Sequence, residues 1–431
     1  MRGDIVDGDP QPRGERIARI VHLTDLHVTD AESPARFEFV NREAQDRRLR
    51  ELLPMHRPQE TLNTHALAAM VRTINRLDPV DLVSVTGDVV DNTQSNELAN
   101  VLALLGGGDV RPDSGAQGYD GVQLADWPGD LYWRPDGSPD GDQFERLLGF
   151  PQHPGLLDQA VRPFQSEGLR FRWLRCWGNH EQVCQGVGVV TPALADAMRG
   201  SRKPVDFPPD FDPERALQIF TEHPERFMSG ASREVPADSD RRPIQRADLL
   251  PSSYYVHDAD RVRFITLDTV CDAGGADGTI DETQLHWLEQ RLAEASDRYA
   301  VILSHHGYDT LANPRGERRA DELLATLSRH PNAVVWLNGH IHANRITPRR
   351  GFWEVTTSAL VDWPCQARVI ELYRTRGGLL AIACTMLDHD GEGLAALHRE
   401  LAANVPLNGF DSWRPGRPAD RNAILLLPDP C

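Results

Sequence analysis

Lysine is almost missing from this chain. Of 46 basic residues only Lys203 is a lysine, and the rest are arginines. Arginine is therefore the chain's default cation, and its abundance says little about function. Long apolar runs are missing too. None approaches the roughly 20 residues that a membrane-spanning helix needs, and AILLL at 423–427 is far too short. The opening MRGDIVDGDPQPRGER is polar and mixed in charge, without the apolar stretch of a secretory signal. No membrane span is expected, and the expected location is cytoplasmic, although a chain whose leader had been removed would read the same. Net positive charge is absent as well. At −18 the chain has no broad surface for nucleic acid or anionic lipid. Small phosphorylated ligands stay open, because they need only a local positive site. Cysteine pairs are the last absence. None of Cys176, Cys184, Cys271, Cys365, Cys384 and Cys431 forms a CxxC, which excludes a zinc knuckle or a disulfide-dense scaffold. Reduced thiols are expected; Cys176 and Cys184 would pair only in an exported protein.

What is present is an ordinary globular composition, 40% hydrophobic and 26% charged, over 431 residues that permit two or three domains. Short apolar runs at 17–24, 80–86, 171–177, 262–267, 300–304 and 333–338 predict strands. Between them, 61–77 puts Leu67, Met70, Val71 and Ile74 on one helical face. Residues 281–295 do the same with Leu285, Leu288 and Leu292 after an acidic first turn. Strands alternating with helices predict a layered α/β fold. Consecutive strand candidates at 353–359, 367–373 and 379–387 make the sheet mixed. Two stretches break the rhythm, 106–169 (rich in Gly, Pro, Asp and aromatics) and 185–252 (rich in Pro, Arg and Asp). Loops this long are usually functional or disordered, and both are expected as cap-like insertions in a domain spanning 1–404. The tail, 405–431, is expected to wrap over the surface in extended form. No internal repeat is visible.

Several predicted strands end on polar residues of one kind. The first ends at Asp25 and His27, the second at Asp88, and the third at Asn179 and His180. Two more end at His305–His306 and at His340 and His342. Each piece alone has a plain reading: a surface acid, a turn, a helix cap or a solvated histidine pair. GHIH is stronger, because alternate strand residues point the same way. Five such endings in order are hard to credit to chance, since ligands of α/β sheets bind outside the carboxyl ends of strands. Imidazole, carboxylate and one amide without thiolate suit Mn, Fe, Zn or Co. Seven ligands are too many for one ion that needs open positions. They suit two ions about 3.5–4 Å apart sharing a carboxylate.

Asp25-x-His27, Gly87-Asp88, Gly178-Asn179-His180-Glu181, Ser304-His305 and Gly339-His340-x-His342 resemble the ordered motifs of the calcineurin-like metallophosphoesterases. TDAESPARFEF is also similar to a little-characterised actinobacterial branch of that family. The resemblance implies a four-layer α/β/β/α sandwich with mixed sheets and a dinuclear centre. It assigns Asp25, His27 and His342 to one metal, Asn179, His305 and His340 to the other, and Asp88 to both. It gives His180 the substrate phosphate and the leaving group. Two positions depart from the pattern. Gly307 and Tyr308 stand where the family often has a proline after the paired histidines, so His306 stays open as the ligand in place of His305. Asp91 occupies the position where purple acid phosphatases carry a tyrosine ligand, so no tyrosinate colour is expected.

The expected activity is hydrolysis of a small phosphorylated substrate. Two divalent or mixed-valence transition ions, Mn or Fe first, would turn a bridging water into hydroxide for in-line attack on phosphorus. A phosphodiesterase is expected, with a phosphomonoesterase as the alternative. A scaffold that has lost its chemistry is the rival from another class, and it tends to lose ligands, whereas all seven are here. Tyr119, Trp127, Tyr132, Trp133 and Trp173 could stack on a base or cover a lipid, but the core of the insertion is the favoured place for them. The acidic run 272–281 is expected mostly as solvated loop.

Overall fold

A computed structural model describes residues 1–8, 13–139, 141–249, 252–406, 409–410 and 412–431. Two six-stranded sheets face each other. The first runs edge to edge through Ala423–Pro428, Leu379–Asp388, Gln366–Thr375, Arg13–Leu23, Leu82–Val85 and Trp173–Arg175. The second runs through Arg345–Pro348, Trp353–Thr356, Ala333–Asn338, Tyr299–Leu303, Val262–Thr266 and Tyr255–Ala259. Both are mixed. Arg13–Leu23 pairs in parallel with Leu82–Val85 but antiparallel with Gln366–Thr375. In the second sheet the four central strands are parallel and the two edges antiparallel.

Strand alternation builds the layers. Ala18, Ile20, Leu82, Phe264, Val301, Leu303, Val335 and Leu337 point between the sheets into one shared core. Their chain neighbours Val21, Leu23, Val83 and Val85 point outward, onto Leu67, Met70, Val71 and Ile74 of the helix Asn63–Asn75. All four helix residues are fully buried, and each contributes about 1.5–3 kcal/mol by leaving water. On the far side Ile265, Ala300, Ile302 and Trp336 receive the helices Glu282–Ala293 and Ala320–Arg329. Asp281 caps the former, its side chain accepting from Gln284 N. The result is the four-layer α/β/β/α sandwich.

The irregular stretches are more ordered than their composition suggests. Residues 106–169 contain the hairpin Gly108–Val110/Phe164–Ser166 and the short helices Gln143–Leu148 and Leu156–Ala160. Tyr119, Trp127, Tyr132 and Trp133 are buried there, and Trp133 and Phe150 pack against Leu62 and Leu401 of the main body. Residues 185–252 contain the hairpin Arg202–Pro204/Ser232–Glu234, and Leu194, Met198, Phe220 and Phe227 form a core with Phe37 and Phe39. The tail does not simply wrap the surface. Ala423–Pro428 is the edge strand of the first sheet, with Leu425, Leu426 and Leu427 buried. All six cysteines are free thiols, five of them buried. No helix among the described residues is long and apolar enough to cross a membrane.

Candidate metal centre

Five strand ends converge where the two sheets meet. Asp25 and His27 follow Arg13–Leu23, Asp88 follows Leu82–Val85, and Asn179 and His180 follow Trp173–Arg175. His305 follows Tyr299–Leu303, and His340 and His342 follow Ala333–Asn338. The chain must turn sharply to aim these side chains back at one point. Asp25, His27, Asp88, His340 and His342 all have left-handed backbone, with φ between 44° and 68°. They are five of the nine such non-glycine residues described. Each costs about 1–3 kcal/mol and persists only where its surroundings hold it, as functional sites do. The motif glycines serve close approach. A Cβ on Gly339 would collide with Thr24 Oγ1 and Asp25 Oδ2, and one on Gly87, at φ 86°, with His305 and the Gly178 backbone.

The groups form two half-sites around one oxygen. His342 Nε2 lies 3.2 Å from Asp25 Oδ1 and 3.2 Å from His27 Nε2. On the other side His305 Nε2 lies 3.1 Å from Asp88 Oδ2, and the His305 and His340 rings are 5.2 Å apart. Asp88 Oδ2 also lies 3.8 Å from His27 Nε2, so it stands between the halves. Asn179 donates its Nδ2 to Gly186 O at 2.9 Å, which turns Oδ1 the other way. The paired histidines, which lie with His340 in one cluster of possible ligands, differ in their partners. Both ring nitrogens of His306 are engaged, by Thr269 Oγ1 at 2.9 Å and Ala276 O at 3.0 Å. His305 instead fixes Nδ1 on Thr86 O at 2.7 Å and leaves Nε2 facing Asp88 without hydrogen-bond geometry.

The donor set fits cations. Asp25 Oδ1, Asn179 Oδ1 and His305 Nε2 are buried without a hydrogen-bond partner, donor atoms of the kind that a bound cation would satisfy. Burial opposes the charge of Asp25 and Asp88, yet His342 and His305 respectively hold these carboxyls below the usual range. Burial, with neighbouring imidazoles, pulls His27 down to about 4 and His340 to about 3. Two carboxylates and two neutral imidazoles are the protonation states that coordinate a metal. His305 goes the other way: burial works against its charge, but Asp88 and Asp25 push it up to about 10. A cation held there would take the place of that proton.

Around the candidate ligands stand groups whose contacts the motifs do not reveal. Asp91 Oδ1 accepts from His27 Nδ1 at 2.9 Å and Asp362 Oδ2 from His342 Nδ1 at 2.7 Å, the carboxylate–histidine pairing that orients metal ligands. Arg36 holds Asp91, and Arg57 Nε donates to Asp362 Oδ1 at 2.9 Å. Glu181, the last residue of GNHE, accepts from the backbone N–H of Asp88, Val89, Val90 and Gly178, and so ties the second and third strand ends together. His180 donates its main-chain N–H to Asp88 Oδ1 at 2.9 Å and places Nδ1 2.5 Å from Asp91 O. Its edge meets the His27 ring at 4.4 Å. The site opens into a cavity of about 180 Å³ whose walls include Leu52–Pro54, Arg57, His180, Gln185–Val187 and Arg414. Among the described residues none of its lining comes from 106–169, where Trp133 packs against Leu62 and Leu401 of the body while Trp127 and Tyr132 pack with Val235. Of the acidic run, Asp277 does approach, 4.0 Å from His340 Nε2.

Residues 127–344 match the model of the calcineurin-like phosphoesterase family, a stretch that holds Asn179, His180, His305, His340 and His342. The chain is also 31% identical over 118 residues to the 3',5'-cyclic adenosine monophosphate phosphodiesterase of Escherichia coli (strain K12). That alignment takes in 25% of this chain and 42% of the relative, so less than half of the curated relative's length is spanned. Among solved structures, a dimetal phosphatase from Danio rerio aligns over 87% of this chain and 100% of its own, at 12% identity and a TM-score of 0.43. A protein from Staphylococcus aureus described as a putative 5'-nucleotidase aligns over 89% of this chain and 57% of its own, at 13% identity and a TM-score of 0.34.

Proposed function

Because this chain belongs to the calcineurin-like phosphoesterase family, we propose that it is a metal-dependent phosphoesterase that hydrolyses a small phosphodiester at a two-metal centre. Asp25, His27 and His342 would hold one ion, Asn179, His305 and His340 the other, and Asp88 both. The observation that carries this reading is the convergence of unpartnered ligand atoms on the two sides of Asp88 Oδ2. When bound, two divalent or mixed-valence transition ions, Mn or Fe first, would supply a nucleophile from water at neutral pH and neutralise charge on the phosphoryl oxygens.

The chain's own residues do the rest. Asp91 and Asp362 keep His27 and His342 in the tautomer whose Nε2 faces the centre. His180 lines the cavity, and the Asp91 carbonyl beside Nδ1 fixes a proton there. That leaves Nε2 to hand a proton to the departing oxygen. The diester preference draws on the stretch similar to the cyclic-nucleotide phosphodiesterase. The test is a hydrolysis screen with Mn²⁺ added, over cyclic and linear diesters and over monoesters. Hydrolysis of diesters, 3',5'-cyclic adenosine monophosphate among them, is expected. Cleavage of monoesters alone would turn the reading to a phosphomonoesterase, and no cleavage by metal-loaded protein would turn it to a scaffold.

A further inference from the structure

We propose that Lys203 is a positioning residue for the metal centre: it keeps Glu38 off Arg36, and so leaves Arg36 to fix Asp91 behind His27. The role rests on the two-metal reading above, in which His27 is a ligand. Lys203 is the one lysine among 46 basic residues. It sits in the hairpin Arg202–Pro204/Ser232–Glu234, outside the five motifs, and its side chain is fully buried. Its Nζ donates to Ser33 O at 2.6 Å and to Glu38 Oε1 at 2.7 Å. Two acceptors meet at one nitrogen, which suits a compact ammonium and not the planar fork that the chain uses elsewhere.

Lys203 stands at the outer end of a buried line of charges. Glu38 Oε1 lies 3.4 Å from Arg36 Nε. Arg36 Nη1 donates to Asp91 Oδ2, and Asp91 Oδ1 accepts from His27 Nδ1 at 2.9 Å. Arg36 in fact faces three carboxylates, since its Nη2 also donates to Glu60 Oε2 at 2.8 Å. One guanidinium cannot neutralise all three, and each has a second partner. His56 Nδ1 is 2.8 Å from Glu60 Oε1, Lys203 is on Glu38, and His27 is on Asp91. Arg57 adds only a distant contact with Asp91, at 3.9 Å. The junction between Glu38 and Arg36 is slack. Among the described residues Arg36 Nε has no hydrogen-bond partner, and neither has Glu38 Oε2, although both atoms are buried. Without Lys203, Glu38 would carry a buried charge with too little compensation and would close on Arg36 at the expense of Asp91. Asp91 orients the His27 ring, so a metal held by His27 Nε2 would be held less well. The rival role for Lys203 is to pin its hairpin to the body and nothing more.

Calorimetric titration of metal-free protein with Mn²⁺ separates the two roles, with Asp91→Ala marking the binding step that belongs to the half-site of His27. Lys203→Met should weaken that step about tenfold, the low end of what losing a direct partner of a ligand costs, and leave the other step unchanged. Adding Glu38→Gln to Lys203→Met removes the competing charge as well, and should return the affinity to that of the wild type. A lysine that only pins the hairpin would not be rescued in this way, since the second change restores no contact to the hairpin. Unchanged binding in Lys203→Met, equal weakening of both steps, or a double variant as weak as the single one would overturn the proposal. If Lys203→Met alone does not fold, the double variant decides: wild-type affinity supports the role, and a weakened His27 step or a second failure to fold overturns it. Metal binding needs no turnover. A wild type that takes up two ions and shows this pattern, yet cleaves no ester, would sink the hydrolase reading and leave the role of Lys203 standing. A wild type that takes up no metal would end both.

Discussion

Replacing His180 by alanine separates proton transfer from every other role that residue has. Its main-chain N–H, which donates to Asp88 Oδ1 at 2.9 Å, survives the change. The ring contributes Nδ1 beside the Asp91 carbonyl and an edge against His27, and neither contact orients a proposed ligand atom; His27 is oriented by Asp91 Oδ1. His180→Ala should therefore keep both metals. What it removes is Nε2 in the cavity, and with it the proton for the leaving oxygen. General acid catalysis is worth about 10²–10⁴-fold, or roughly 2.7–5.5 kcal/mol of barrier. The loss should fall on substrates that need the proton. An alkyl phosphoester should slow by about that factor, while a nitrophenyl ester, whose leaving group departs as a stable anion, should slow far less. Steady-state kcat/KM on both esters, with metal content measured on the same samples, gives the answer. Equal losses would mean that His180 only anchors charge. Loss of metal would mean that it is a ligand or that it supports one.

Three further outcomes follow from the same geometry. Asp362→Ala should weaken metal at the half-site containing His342 by about 10–100-fold, leaving the His305 half-site nearly intact; two-step metal titration would show this, and equal weakening of both would refute it. Glu181→Ala strands four backbone N–H donors in a buried place. At about 1 kcal/mol or more each, the melting temperature should fall by several degrees, and an unchanged melt would mean that the two strand ends do not depend on this tie. Metal uptake at neutral pH should release about one proton from His305. Its folded pKa is raised to about 10, so the proton is present at pH 7 before the metal enters, and affinity should fall as pH falls. Calorimetry in buffers of different ionisation heat would reveal it, and no proton release would contradict the assignment.

The centre was legible because it is built at strand ends. An apolar run that finishes on Asp25 and His27, or on His340 and His342, marks both the strand and the candidate ligand. What the sequence hid lies elsewhere in the chain. Asp362 and Arg57 sit in irregular segments with no repeating pattern, and only the fold brings them to His342. Asp91 was legible as a place where a tyrosine is absent, but its bond to His27 was not. What sets His306 apart from His305 is that Thr269 and Ala276 engage both of its ring nitrogens, contacts that adjacent residues cannot reveal. Among the strands, Ala423–Pro428 reads as an apolar scrap, too short for a membrane, because the sheet edge that receives it, Leu379–Asp388, leaves no mark in its local sequence. The aromatic residues of 106–169 are rich enough to suggest a binding face. Trp133 is instead fully buried and packs in a cluster with Leu62 and Leu401, so a linker in place of that segment would uncover the body rather than an active site.

The central claim is that Asp88 joins two metal sites, and metal counting tests it most directly. Wild-type protein saturated with Mn²⁺ or Fe and freed of excess should carry about two ions per chain, as a two-metal centre requires. Asp88→Ala, which removes the oxygen lying 3.1 Å from His305 and 3.8 Å from His27, should hold neither ion firmly. A saturated count of one or none in the wild type, or two firmly held ions in Asp88→Ala, would contradict the account.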